Sequence, residues 1–236
     1  AYDTWCSRGV SFGNHTMSAA KIVFNHGGRM EIVSVNPFDK IVRRTTRPRR
    51  TVWSQEDVQK FLEVAYSDYK TRNIGLIAQM AYEWCQRLGD MRLLEWQSIQ
   101  FDKQSVHIEQ SKRRAEVFLP ISDELFDMLE EQHNDFGWQP YVAPMPEPIR
   151  GAMRPYSKFK LPTYASAIMN EAGLSQELRL SDLRRTGTTE MVDAGVGIGQ
   201  IMAVTGHVNP QSVKPYMKHT YDSANYALTK RKNRGK

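Results

Sequence analysis

From Trp53 onward apolar residues recur at helical spacing, and the period drops to two only around one polar stretch. Val58, Phe61, Leu62 and Ala65 stand at i, i+3, i+4 and i+7, behind Ser54 as an N-cap with Asp57 at N3. Ile77, Met80, Ala81, Trp84, Cys85 and Leu88 extend such a stripe and predict one long buried helix. Val106 and Ile108 alternate, residues 109–115 are polar, and Val117 and Leu119 alternate again. That pattern predicts a β-hairpin with Lys112, Arg113 and Arg114 near its tip. Helices are expected again over 123–133, 163–171, 182–194, 199–204, 210–216 and 222–230, with Gly173 and Gly195 as C-caps and a proline-rich loop over 140–162. The expected class is mainly α with a small antiparallel β-sheet, that is, α+β.

The first fifty residues read differently. Met17, Ala20, Lys21 and Phe24 predict a helix over 11–26 that Gly27-Gly28 ends, and Asn36-Pro37-Phe38 marks a turn. This segment is too short to bury a core of its own and reads as the end of a domain whose earlier part is missing. The expected division is a remnant over 1–39, a linker over 40–52 and a body over 53–236.

Charge sharpens this division. The chain of 236 residues carries a formal +6. Six basic residues and no acid lie in 40–50, and five more lie in 229–236, leaving the remainder at −5. Two such basic segments suit the neutralisation of backbone phosphates, which is independent of base sequence and sensitive to salt. The composition, 40% hydrophobic and 25% charged, is that of a globular protein. Neither an apolar run long enough to span a bilayer nor a Cys or His cluster at metal-ligand spacing is present. Two cysteines, Cys6 and Cys85, cannot form a disulfide framework, which suggests a reduced, cytoplasmic protein. Gly195-Val196-Gly197-Ile198-Gly199 is GxGxG after a helix, so it reads as a helix–helix turn rather than a nucleotide-binding loop. No cofactor or metal is expected.

Four short stretches remain: Gln86-Arg87-Leu88-Gly89-Asp90, Ser181-Asp182-Leu183-Arg184-Arg185-Thr186, Thr205-Gly206-His207 and Tyr216. Arg87 and Arg184 each sit beside a leucine of an apolar stripe, where an unpaired guanidinium costs several kcal/mol. Either arginine has a local carboxylate as an alternative partner, Asp90 or Asp182.

Taken in order, these stretches resemble the tyrosine site-specific recombinases, or phage-type integrases, from Trp53 to about Arg231. Arg87 is followed by Asp90 and Trp96. Lys112 precedes Phe118-Leu119-Pro120-Ile121, and Tyr216 stands nine residues after His207. The resemblance implies the catalytic-domain fold of that family, with the end of a core-binding domain ahead of it and the basic strap as the interdomain linker on DNA. It implies Tyr216 as nucleophile on a scissile phosphate, giving a 3′-phosphotyrosine. Arg87 and Arg184 would clamp the phosphate, Lys112 would protonate the leaving oxygen, and His207 would donate a further hydrogen bond. Arg43, Arg44, Arg47, Arg49, Arg50, Arg113 and Arg114 are the expected DNA contacts. The implied partner is double-stranded DNA, bound by a tetramer that exchanges C-terminal segments, with a monomer in solution as the other expectation for this piece.

Two departures stand out. Ser181 occupies the position where the family usually has histidine as general base, and its role is open. Pro215 directly precedes Tyr216, so the nucleophile segment is expected to be kinked or in a loop, with Tyr221 and Tyr226 as substitutes. Type IB topoisomerase-like nicking and closing shares this chemistry. A DNA-binding member without catalysis is the alternative that Ser181 favours.

Overall fold

The computed structural model describes residues 1–46, 49–112, 114–217 and 221–232, and the chain divides into two units, Ala1–Arg50 and Thr51–Lys236. Among the described residues no helix is long and apolar enough to cross a membrane.

In the first unit α1 (Tyr2–Ser7) packs on α2 (Val10–Arg29). Contact is close because position 13 is glycine: a Cβ there would lie 2.5 Å from Cys6 Sγ. Helix α1 was not expected from the sequence. Helix α2 starts one residue before the expected span and continues through Gly27-Gly28 to Arg29, so the glycine pair does not end it. A small cluster of Tyr2, Cys6 and Met17, with Trp5, Phe38 and Ile41 against it, holds the segment that follows. Trp5 stacks on Phe38 at 5.6 Å.

In the second unit α3 (Gln55–Tyr66) carries the full capping box: Ser54 Oγ accepts from Asp57 N, and Asp57 Oδ2 accepts from Ser54 N. Helix α4 (Tyr69–Glu83) is buried along most of its length but is shorter than its stripe suggests. Cys85 takes a φ of +51°, in the left-handed region, so Trp84 and Cys85 remain buried after the helix has ended. Leu88 begins a separate turn, α5 (Leu88–Met91). Apolar spacing persisted across a break that backbone conformation imposed.

Strands β1 (Ile99–Gln100), β2 (Ser105–Glu109) and β3 (Glu116–Pro120) form an antiparallel sheet in the order β1-β2-β3. The expected alternation sets the register: Val106 pairs with Leu119 and Ile108 with Val117, all facing the core. The short β1 was not foreseen. Helices α6 (Asp123–Phe136), α7 (Leu161–Glu171), α8 (Leu183–Asp193), α9 (Ile198–Thr205) and α10 (Tyr221–Lys232) follow close to their expected spans. Residues 210–216 form two 3₁₀ turns, Pro210–Ser212 and Lys214–Tyr216, instead of one helix. Helix α8 lies directly on the end of α4, since a Cβ at Gly187 would meet Tyr82 O at 2.6 Å and Cys85 Sγ at 2.7 Å.

Candidate active site

The break after α4 places Arg87. It caps α5 in an extended conformation (φ −70°, ψ 135°), so its side chain leaves the core stripe and is partly exposed. Its Nη1 donates to Gln110 Oε1 at 2.6 Å and lies 3.8 Å from Asp90 Oδ2. Asp90 is buried and turns its other oxygen to the hairpin, accepting from Ser111 Oγ at 2.5 Å and Ser111 N at 3.3 Å. The carboxylate expected beside Arg87 is therefore present at a distance, and the close partner is a neutral amide.

Arg184 lies in the first turn of α8 and is buried. Its Nη2 donates to the carbonyl of Thr205 at 2.8 Å and is 3.4 Å from His207 Nε2. Its Nη1 is buried without a hydrogen-bond partner among the described residues. Leaving such a donor unpaired costs about 1–3 kcal/mol, so the position favours an anion that accepts from it. Burial, and then the nearby charge of Arg87, lower the pKa of Arg184 from its ordinary value. Asp182, the alternative partner considered for Arg184, instead accepts from Arg179 N at 3.1 Å.

His207 follows the C-cap of α9, where Gly206 adopts φ +68° and turns the chain sharply. The Thr205 hydroxyl donates to Ile201 O at 2.7 Å and lies 2.7 Å from His207 Nδ1. Since the hydroxyl proton is used on Ile201, His207 Nδ1 is the donor of that second bond, which leaves Nε2 facing Arg184. Tyr216 closes the group. Its ring centroid is 5.9 Å from that of His207, and the guanidinium of Arg185 sits 5.1 Å from the Tyr216 ring. The kink expected from Pro215 is the 3₁₀ turn Lys214–Tyr216, seated on buried Val213. Arg87, Arg184, His207 and Tyr216 thus converge from four separate segments.

The remaining expected residues lie as follows. Lys112 is exposed in the hairpin turn, next to Ser111, and has no partner among the described residues. Ser181 is exposed and lines a cavity of about 410 Å³ with Leu88, Pro162 and Leu180. Arg114 pairs with Glu109 at 2.9 Å at the base of the turn. In the first unit Arg43 and Arg50 are exposed, Arg49 is half-buried, and Arg44 pairs with Asp3 at 2.8 Å. Arg47 and Arg113 lie outside the described residues, as do the side chains of Tyr221 and Tyr226.

Sequence reasoning passed over a buried amide pair. Gln110 Nε2 donates to Gln86 Oε1 at 2.6 Å and to Thr205 O at 2.8 Å. Gln86 Nε2 donates in turn to Trp84 O and Val204 O at 2.8 and 2.7 Å. The only signal was indirect: one glutamine stands beside Arg87 in an apolar stripe, and the other stands two residues before Lys112 in the polar stretch of the hairpin.

Comparison with known proteins bears on the family and the fold. The model of the phage integrase family matches residues 52–223. A lambda integrase dimer bound to a COC′ core site is similar in structure, with a TM-score of 0.73 at 16% identity, covering 92% of this chain and 62% of that one. Tn1549 transposon integrase in complex with a circular intermediate DNA gives a TM-score of 0.72 at 13% identity, covering 93% and 79%. XerA recombinase gives 0.61 at 16% identity, covering 92% and 75%. At these identities the likeness is one of fold, and the chain spans less than two thirds of the lambda integrase chain. A search of curated proteins finds no match. With the family model spanning most of its length on a mainly helical fold that carries a small antiparallel sheet, the chain belongs to the phage integrase family, the tyrosine recombinases.

Proposed function

We propose that this chain cleaves and rejoins DNA as a site-specific recombinase, in the integration or excision of a phage or mobile element. The observation that carries the proposal is the meeting of Arg87, Arg184, His207 and Tyr216 around a buried guanidinium N–H that has no acceptor among the described residues.

In the proposed reaction Tyr216 Oη attacks the scissile phosphorus, and the bond from phosphorus to the 5′ oxygen breaks. A 3′-phosphotyrosine forms, and the leaving 5′ oxygen takes a proton from Lys112 Nζ. Arg87 and Arg184 hold the non-bridging oxygens, for which a planar, permanently charged fork is suited. His207 Nε2 lies on the same side as Arg184 and adds a hydrogen bond when the ring is protonated. The tyrosine proton passes to water, because Ser181 is a poor base near neutral pH. Attack of a 5′ hydroxyl on the phosphotyrosine reverses each bond change, so rejoining needs no nucleotide cofactor.

Double-stranded DNA is the proposed substrate and partner, held in part by the basic strap and tail, with tetramer assembly on synapsed sites. The test is a plasmid carrying two cognate sites, incubated in EDTA. Recombinant circles support the proposal. Relaxation without recombinants points to nicking and closing alone, and binding without either product points to a non-catalytic family member.

A further inference from the structure

Arg87 and Arg184 are both cationic, sit close enough to influence each other, and among the described residues share no carboxylate at hydrogen-bond distance. What lies between them is neutral. Arg87 Nη1 donates to Gln110 Oε1 at 2.6 Å, Gln110 Nε2 donates to Thr205 O at 2.8 Å, and Arg184 Nη2 donates to the same carbonyl at 2.8 Å. Gln110 is fully buried, and its second N–H is held by Gln86 Oε1 at 2.6 Å. Gly206 keeps the space open, since a Cβ there would stand 2.5 Å from Gln110 Nε2.

We infer that Gln110 is a positioning residue that couples Arg87 to Arg184, so that the two guanidinium groups bind one phosphate as a single preorganised unit. The inference rests on the proposed function for its biological meaning. Its geometry stands without that reading.

The chemistry at position 110 is demanding. The side chain must accept from Arg87 and donate twice, to Gln86 Oε1 and Thr205 O. A carboxylate would accept from Arg87 but face two oxygens, and would neutralise the charge that a phosphate needs. Asparagine is one methylene short. Amide oxygens orient both arginines and leave their charge available to an anion, and a fixed donor array avoids reorganisation when charge develops. The pair sits at the foot of the hairpin that carries Lys112, two residues away, so the same amide ties the hairpin to the C-terminus of α9.

The test uses inorganic phosphate as probe and the chain as it exists, free of DNA. Phosphate binding is followed through the ¹⁵N side-chain signals of arginine, alongside thermal unfolding. Gln110→Met is expected to weaken phosphate at least about tenfold. In an Arg87→Ala background the same substitution is expected to cost less than about threefold, because its partner is gone. Gln110→Glu, of nearly the same shape, is expected to weaken phosphate by a similar factor through the carboxylate against Arg87. It serves should the methionine variant not fold. Affinity within about twofold of wild type in a folded Gln110 variant overturns the inference. A tenfold loss in both backgrounds also overturns it, since that is the mark of a merely structural role. Failure of the wild-type chain to cleave DNA, with these phosphate effects intact, would refute the proposed function and leave the coupling in place.

Discussion

Gly206→Ala tests how tightly the candidate site is built. Gly206 ends α9 with φ +68°, and holding an alanine in this left-handed conformation costs about 1–2 kcal/mol. The added methyl would lie 2.5 Å from Gln110 Nε2 and 2.8 Å from its Cδ. Gln110 is fully buried, so its amide has no solvent to swing into. Displacing it strains the bonds to Gln86 Oε1 and Thr205 O, and overpacking of this kind costs about 1–3 kcal/mol. The expected loss of unfolding free energy is about 3.5 kcal/mol, the middle of the combined range. Urea denaturation followed by tryptophan fluorescence measures it. Gly199→Ala is the matched control, being helical with nothing within 4 Å of its added Cβ. It should be neutral or stabilising by up to about 1 kcal/mol. If Gly206→Ala unfolds within about 0.5 kcal/mol of wild type, below the smallest of these terms, the packing of Gln110 against the α9 cap is wrong.

Ser181→His is expected to preserve or raise cleavage of a suicide DNA substrate, because position 181 is exposed at the edge of a cavity with room for an imidazole. Complete loss would assign Ser181 a role that its side chain's lack of polar contacts among the described residues does not suggest. The Cys85 thiol, pushed up to about 11 by burial, should resist alkylation at about pH 8 in the folded protein and label once denaturant is added. Mass spectrometry of the Cys85 peptide checks this, and rapid native labelling would contradict the packing of α8 on α4. Burial also raises Tyr66, Tyr82 and Tyr156 above the ordinary tyrosine value. All four groups bind their proton more tightly when folded. The stability they contribute is present below about pH 9 and drains as pH rises through their titration. Urea midpoints at about pH 8 and about pH 10.5 should fall in that order, and equal midpoints would refute this.

Periodicity made the scaffold readable wherever one face of an element is buried. Val106, Ile108, Val117 and Leu119 fixed the hairpin and its register, and the stripe from Val58 to Ala65 fixed α3. It misled where the chain stays buried after leaving regular structure. Trp84 and Cys85 keep the spacing of α4, but Cys85 turns left-handed, and that turn frees Arg87 from the core. The glycine pair at 27–28 has no positive φ and stays helical, whereas Gly173, Gly195 and Gly206 do take positive φ, and the first two had been read as caps. At the site, the family resemblance grouped Arg87, Arg184, His207 and Tyr216, and the structure brings the four segments that carry them together. The amides that hold them were illegible: Gln86 and Gln110 are 24 residues apart on different elements, and glutamine is ordinarily a surface residue. Arg185 was visible only as the neighbour of Arg184, and its place over the Tyr216 ring follows from the 3₁₀ turn behind Pro215.

The central claim is that Tyr216 forms a phosphotyrosine within a group that includes Arg87, Arg184 and His207. It is tested most directly by trapping the chain on a nicked suicide DNA substrate in EDTA and mapping the adduct by peptide mass spectrometry. The expected result is a covalent DNA–peptide adduct on Tyr216 that is absent from Tyr216→Phe and strongly reduced in Arg184→Ala. An adduct that persists in Tyr216→Phe, or maps to Tyr221 or Tyr226, would contradict it.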